Sequence, residues 1–319
     1  MTEPLGPTGK PAIVTGGTRG LRVIITGAGG FVGKAVARDL ARHHDVVGID
    51  RAPFTCDGIA PIIGDLCDAQ VLQSAFSSGC DAVIHLATIP GGAAEADPAL
   101  ARQVNIDSTM TLIDAAAQAG TRPRFVFASS IAVLGDPLPA QVDDATPVAP
   151  TLLYGAHKAM IETWIATQTR RGAISGLSLR LPGIIARPRG PSGMKSAFMS
   201  DVFHALVARR PIVLPVSPEA TMWLMSLRRV ARNLVHALGI EATGAFTLPA
   251  IRTSMRDLVD AIADAAQVDA ALATHMPDPG LESAFGRLPP LSTPFATALG
   301  FAHDGSLAEL VTSALATLA

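Results

Sequence analysis

Tyr154 is the only tyrosine of the chain, and it stands four residues before Lys158, one of four lysines. Residues four apart lie on one face of a helix, one turn from each other. An ammonium group placed there favours the phenolate and lowers the pKa of the phenol from its reference of about 10. The pair predicts a tyrosine that exchanges protons near neutral pH. A chance pair of surface residues is the alternative.

A glycine-rich turn, Gly27–Gly33, follows the apolar run Leu21–Thr26 and precedes a helical pattern. Glycines let the backbone approach a pyrophosphate, whose charge faces the amides and the dipole of the following helix. Asp50 ends the next apolar run, where its carboxylate can accept both ribose hydroxyls and repel a 2′-phosphate. The pattern predicts an NAD site, with a plain strand-to-helix turn as the alternative. Arg51 is the residue that could instead accept the 2′-phosphate of NADP.

Short apolar runs without polar alternation are separated by amphipathic patterns along the first part of the chain. The predicted strands are 21–26, 46–50, 61–64, 82–86, 125–128 and 177–181, and the predicted helices include 98–119 and 152–168. Such alternation indicates a parallel sheet covered on both faces. We therefore predict an α/β protein with a Rossmann-type doubly wound sheet and a smaller C-terminal substrate domain.

The domain boundaries follow from where this rhythm stops. The predicted parts are an N-terminal extension, 1–20; an NAD-binding domain, 21–182, which segments near 228–256 rejoin; and a smaller substrate-binding part, 183–319. The stretches 183–222 and 268–300 show little periodicity and are predicted to be irregular. Residues 13–20 imitate a second phosphate turn, but the strand at Leu21 follows at once and leaves no helix behind it.

The composition fits an enzyme acting on small molecules. The chain has 319 residues, of which 49% are hydrophobic and 16% charged, with a net charge of -2. This balance predicts no nucleic-acid or membrane partner, and no apolar run approaches the ~18 residues of a membrane span. Cys56, Cys67 and Cys80 are odd in number and lack metal-ligand spacing, so we expect free thiols, no metal and a cytoplasmic protein without a signal peptide.

Several motifs together resemble the extended short-chain dehydrogenases/reductases, the NAD-dependent epimerase/dehydratase family, over about residues 21–255. They are Thr26-Gly27-x-x-Gly30-x-x-Gly33, Asp65-Leu66, His85-Leu86-Ala87, Asn105, Ser129-Ser130 and Tyr154-x-x-x-Lys158. The cofactor-binding residues that this resemblance implies are Gly27, Gly30, Phe31, Val32, Gly33, Asp50, Asp65, Leu66, Leu86, Ala87, Asn105, Tyr154, Lys158 and Pro182.

The resemblance also implies a catalytic set of Ser130, Tyr154 and Lys158. Ser130 is expected to hold the substrate oxygen while Tyr154 exchanges the proton. Lys158 is expected to anchor the nicotinamide ribose and, with the cationic ring, to lower the tyrosine pKa. Asn105 is expected to steady the active-site backbone or a water.

Within the family the chain resembles most the members that oxidise a small sugar acid such as D-erythronate, so we expect NAD-dependent oxidation of a secondary alcohol to a ketone. The expected substrate residues are Ser130, Thr88, Arg187 and Lys195, with Arg189 as a third candidate cation and a solvated cluster as the alternative. A nucleotide-sugar 4-epimerase with tightly held NAD is the second hypothesis, and a non-catalytic NAD-binding regulator is the third.

Three further expectations concern side chains outside that set. His85 is predicted to be a hydrogen-bonded core histidine, and His157 to be solvated. A homodimer is expected, as is common in the family, through the helices at about 98–118 and 152–170. Its apolar surface is assigned to Leu112, Ile113, Ile161 and Trp164.

Overall fold

The structure, a computed structural model, describes residues 20–189 and 195–318. The strands are β1 (Arg22–Thr26), β2 (Asp45–Asp50), β3 (Ile59–Ile63), β4 (Ala82–His85), β5 (Arg124–Ser130), β6 (Ser175–Leu181), β7 (Gly183–Ile184), β8 (Ile212–Leu214), β9 (Thr221–Met225), β10 (Gly244–Thr247), β11 (Ile251–Ser254) and β12 (Ala273–His275). The helices are α1 (Phe31–Leu40), α2 (Ala69–Phe76), α3 (Gly91–Ala96), α4 (Pro98–Arg102), α5 (Ser108–Ala119), α6 (Leu153–Arg170), α7 (Phe198–Val207), α8 (Leu227–His236), α9 (Met255–Ala266), α10 (Pro279–Phe285), α11 (Pro294–Ala298) and α12 (Leu307–Leu315). Most of the N-terminal extension, and nearly all of the imitated turn at 13–20, lies outside the described residues.

Seven strands form one parallel sheet in the order β10-β6-β5-β4-β1-β2-β3. Its central strands, such as β4 with the sequence AVIH, are buried along their whole length. Strands of this kind need cover on both faces. The predicted Rossmann-type doubly wound fold is therefore confirmed.

Helices cover the two faces of this sheet with separate apolar clusters. On one face, α1 packs against α8 through residues such as Val36, Leu40, Val230 and Leu234. On the other face, α2, α5 and α6 bury the sheet under the residues Leu72, Leu112, Ile113, Ile161 and Ile165.

A smaller unit is formed mainly by the chain that follows β6. Its three-stranded sheet has the order β11-β9-β7, and β8 pairs with β12. α7, α9 and α12 pack around it in a third apolar cluster. Part of the predicted irregular stretch 183–222 is therefore regular, since it holds α7, β8 and β9. The segment 228–256 divides: β10 joins the main sheet, whereas β11 joins the small one.

The predicted helix 98–119 is not continuous. A π-helical turn, Gln103–Asp107, separates α4 from α5. Single π turns inside helices occur often at functional sites because they re-aim one side chain. Here the turn contains Asn105. Among the described residues, no helix is both long and apolar enough to cross a membrane.

Candidate active site

The glycine turn connects β1 to α1 at the carboxyl end of the sheet. Gly30 precedes the first residue of α1 and provides no side-chain cap, so the first amides of the helix, from Phe31 and Val32 onward, meet no capping side chain. A Cβ on Gly33 would overlap the carbonyl oxygen of Gly27. The tight turn and the uncapped helix start fit a dinucleotide pyrophosphate.

Asp50 ends β2 beside this turn. Its Oδ2 accepts a hydrogen bond from the Gly29 amide at 2.9 Å, and its Oδ1 accepts one from the Ala52 amide at 3.0 Å. Both bonds fix the carboxylate next to the glycine turn. This is the position from which an acidic side chain receives the ribose hydroxyls of NAD.

Replacing Asp50 by alanine is expected to lower kcat/KM for NAD by about 10²-fold or more, because two hydrogen bonds from the ribose to a charged group, each worth about 1.5–3 kcal/mol, are lost. The ratio of NAD to NADP activity should fall as well, since the repelling carboxylate is gone. Steady-state kinetics with both cofactors measures this. The matched control is Asp57→Ala, which removes an exposed carboxylate in the turn before β3. An unchanged cofactor ratio in Asp50→Ala would contradict the assignment.

A buried hydrogen-bond network supports the ends of β1 and β4. His85 is 1% exposed, and its ring nitrogens lie 2.6 Å from Thr26 Oγ1 and 2.9 Å from Thr109 Oγ1. Thr26 Oγ1 also accepts from the amides of Leu86 and Ala87. Burial lowers the pKa of His85 to about 3, so the ring stays neutral. His85 is a core histidine. Through its hydrogen bond to Thr26 it supports the backbone of Leu86 and Ala87, the two predicted cofactor-lining residues that follow it.

Asn105 binds the chain that follows β4. Its Oδ1 accepts from the Ile89 amide at 2.7 Å and from Thr88 Oγ1 at 3.0 Å, and its Nδ2 donates to the Ile89 carbonyl at 3.0 Å. The amide therefore steadies backbone, and the Thr88 hydroxyl proton is engaged. His157 is buried with Nδ1 3.4 Å from Asn105 Nδ2. The expectation that His157 is solvated is wrong, because α3 and the π turn cover this part of α6.

The structure brings Ser130, Tyr154 and Lys158 together. Ser130 ends β5, and Tyr154 and Lys158 share one face of α6, with Lys158 Nζ 5.4 Å from the centre of the phenol ring. Gly155 lets α6 approach the short turn that follows Ser130, because a Cβ at position 155 would overlap the carbonyl oxygen of Ala132 in that turn.

The acidity of the phenol differs from the expectation. Desolvation raises the pKa of Tyr154, while the Arg187 guanidinium and the neighbouring Ser130 hydroxyl act in the opposite direction. The net direction is upward. The prediction that Lys158 alone lowers this pKa below its reference is wrong, because the cation that acts on the phenol is Arg187. The joint effect of Lys158 and the cationic nicotinamide ring stays a prediction.

Lys158 is deeply buried. Its Nζ donates to the Ala128 carbonyl at 2.8 Å and lies 4.5 Å from the centre of the Phe127 ring. Burial lowers the pKa of Lys158 to about 7, against the attraction of Glu162. The amine is thus near its own titration midpoint at neutral pH.

A polar cluster behind the catalytic face was not predicted. Glu162 Oε1 accepts from Ser129 Oγ at 2.5 Å, and Arg180 binds both carboxylate oxygens of Glu162. The cluster ties α6 to β5 and β6. The available signal was an acidic residue one turn after Lys158 on a buried helix face.

The remaining predicted residues lie around this centre. Pro182 follows β6 and is buried, as is Leu66, while Asp65 Oδ1 accepts from the Cys67 amide at 2.9 Å. Arg187 is partly buried, whereas Arg189 and Lys195 are exposed. No group of three or more potential metal ligands is found in the described part of the chain.

The model of the NAD dependent epimerase/dehydratase family matches residues 23–244. D-erythronate dehydrogenase of Cupriavidus necator is 33% identical over 91% of this chain and 97% of the relative. The D-erythronate dehydrogenase of Haemophilus influenzae is 33% identical over 68% of this chain and 72% of the relative. The crystal structure of a nucleoside-diphosphate-sugar epimerase from Agrobacterium tumefaciens superposes with a TM-score of 0.83 at 27% identity, covering 96% of both chains.

Proposed function

We propose that this chain, which belongs to the NAD-dependent epimerase/dehydratase family, is an NAD-dependent dehydrogenase that oxidises the secondary alcohol of a small sugar acid of the D-erythronate type to a ketone. The observation that carries this proposal is the 33% identity to a D-erythronate dehydrogenase over 91% of the chain. NAD, when bound, supplies the acceptor for the hydride that leaves the substrate carbon.

The side chains are assigned by what each can donate or accept. The Ser130 hydroxyl donates to the substrate oxygen, and the phenolate form of Tyr154 takes the proton of the substrate hydroxyl. Lys158 binds the nicotinamide ribose and is held by the Ala128 carbonyl. Asp50 binds the adenosine ribose, and Phe31 and Val32 present their amides to the pyrophosphate. Cys56, Cys67 and Cys80 carry free thiols, which fits a cytoplasmic enzyme.

The test is an assay of the purified protein with NAD and a panel of small sugar acids, D-erythronate first, with NADH fluorescence as the signal. The expected result is NADH formation that saturates with a sugar acid. A protein that forms NADH with none of these acids contradicts the proposal.

A nucleotide-sugar 4-epimerase is the second candidate, favoured by the likeness to the Agrobacterium tumefaciens structure over 96% of the chain. Such an enzyme retains its cofactor through both half-reactions. A purified protein that carries NAD(H) in its absorbance spectrum and interconverts a nucleotide sugar without added cofactor would support it over the dehydrogenase.

We further propose that the protein acts as a homodimer through α6 and the helices before it. The expected residues Leu112, Ile113 and Ile161 are not available, because each is at most 1% exposed in the core of one subunit. The exposed apolar residues are others. Leu153 is 36% and Met160 56% exposed, and with half-buried Trp164 they fall on one face of α6, at i, i+7 and i+11.

Replacing Met160 by lysine is expected to shift the protein from dimer to monomer, because a charge would lie at the centre of that apolar face. Sedimentation velocity measures the change. Met276→Lys is the matched control, since Met276 is 71% exposed elsewhere on the molecule. A wild-type protein that sediments only as a monomer contradicts the dimer.

A further inference from the structure

Three cations follow β6, and the structure separates them. Arg189 and Asp201 approach each other, with Nε 3.8 Å from Oδ1, on side chains that are 48% and 42% exposed. Lys195 is exposed at the start of a 3-10 turn. Arg187 is partly buried, and the ion pairs of the described chain do not include it. Of the three cations, it is the one that is both partly buried and outside those ion pairs.

The backbone around Arg187 is held in one conformation. Ala186, just before it, is 1% exposed and has a φ of 57°, which is unusual for a residue with a side chain. The Arg187 carbonyl lies 2.7 Å from His204 Nε2 on α7. Ala186 is buried in the left-handed region, and the carbonyl of Arg187 is bonded to α7. The fold therefore determines the direction in which the Arg187 side chain leaves the backbone.

The guanidinium makes few contacts of its own. Its Nε donates to the Ile184 carbonyl at 3.0 Å, and its carbon lies 5.9 Å from the centre of the Phe31 ring. In the described part of the chain, neither terminal nitrogen of the guanidinium has a hydrogen-bond partner, so the edge that binds anions in a bidentate way is unused.

The neighbours of Arg187 place that edge in the active site. Phe31 is the first residue of α1, directly after the glycine turn. The charge of Arg187 also acts on the phenol of Tyr154. The guanidinium therefore lies beside the first residue after the cofactor turn, within electrostatic range of the tyrosine that takes the substrate proton.

We infer that Arg187 is the carboxylate-binding residue of this active site and selects hydroxy acids over neutral polyols. The inference rests on the proposed function, which requires an anionic substrate. A partly buried guanidinium whose terminal nitrogens have no partner in the described chain can bind a substrate carboxylate through two parallel hydrogen bonds. Arg187 can do this while Ser130 and Tyr154 hold the hydroxyl that reacts.

The experiment compares wild type, Arg187→Met and Arg187→Lys with the best sugar acid of the panel and with the polyol that has a hydroxymethyl group in place of the carboxylate. Arg187→Met is expected to lose about 10²-fold in kcat/KM for the acid, to lose little for the polyol, and to keep the wild-type Kd for NAD. Arg187→Lys should recover part of the loss. Arg189→Met, in the same segment, is the control that should behave as wild type.

Each contrary outcome has its own meaning. An Arg187→Met enzyme that keeps its kcat/KM for the acid overturns the inference while the proposed function stands. An Arg187→Met enzyme whose NAD affinity falls as much as its activity assigns the guanidinium to the cofactor pyrophosphate and also overturns it. A wild type inactive with every acid overturns both. NAD binding and the unfolding transition of each variant distinguish these results from misfolding.

Discussion

Replacing Tyr154 by phenylalanine is expected to lower kcat about 10³-fold, because the side chain that takes the substrate proton is lost and general base catalysis contributes 10²- to 10⁴-fold. The phenyl ring keeps the packing of the phenol beside Lys158 Nζ, 5.4 Å from the ring centre. The Kd for NAD and the free energy of unfolding should therefore stay near wild type. Stopped-flow single turnovers and a fluorescence titration with NAD measure the two effects.

The pH dependence tests the same assignment in wild type. Desolvation raises the pKa of Tyr154, so the phenolate that oxidation requires is a minor form at neutral pH. Activity in the oxidation direction should rise with pH from neutral into the alkaline range, and the residual activity of Tyr154→Phe should not. A Tyr154→Phe enzyme with wild-type kcat, or with the same alkaline rise, would remove the tyrosine from the mechanism.

Replacing Lys158 by methionine is expected to abolish most activity and yet to stabilise the protein without NAD at neutral pH. The pKa of Lys158 falls from 10.5 to about 7 in the folded state. At pH 7, where about half of the folded amines are neutral, this shift lowers stability by about 4 kcal/mol. Methionine removes that cost but leaves the Ala128 carbonyl without its donor, a loss of about 1–3 kcal/mol. A net gain of about 1–3 kcal/mol in the free energy of unfolding remains.

The sign of this effect reverses with pH. A depressed lysine pKa costs stability fully below the folded value, near pH 7, and the cost disappears as pH rises to the unfolded value of 10.5. Denaturant unfolding at several pH values should show Lys158→Met above wild type at pH 7 and no longer above it near pH 10. Lys34→Met, at an exposed position on α1, is the matched control. A variant less stable than wild type at every pH would contradict the buried-charge argument.

The sheet was predictable because its strands are buried on both faces. Residues such as Val83 and Ile84 leave no polar alternation, and capping or glycine signals mark where the helices begin. α7 was not predicted, although Phe198, Val202 and Leu206 repeat every four residues, because the prolines and glycines before it indicate an irregular chain.

The site was predictable where one motif fixes one element, and not where elements from different parts of the chain meet. Tyr154 and Lys158 share a helix, so their spacing sets their geometry. Arg187 follows β6, in a different part of the chain from Tyr154, so its effect on the tyrosine pKa could not be predicted from spacing. The burial of Leu112 likewise depends on which face of α5 meets the sheet.

The bare backbone at Gly155 has a consequence for how the catalytic pair is spaced. Helix α6 rests directly on the carbonyl of Ala132, two residues after the serine, with no side chain between them. Backbone contact alone thus sets the distance between the phenol and the serine hydroxyl. A single methyl group at position 155 would move the first turn of the helix outward. The enzyme would then keep every reactive group but hold the tyrosine too far from the serine.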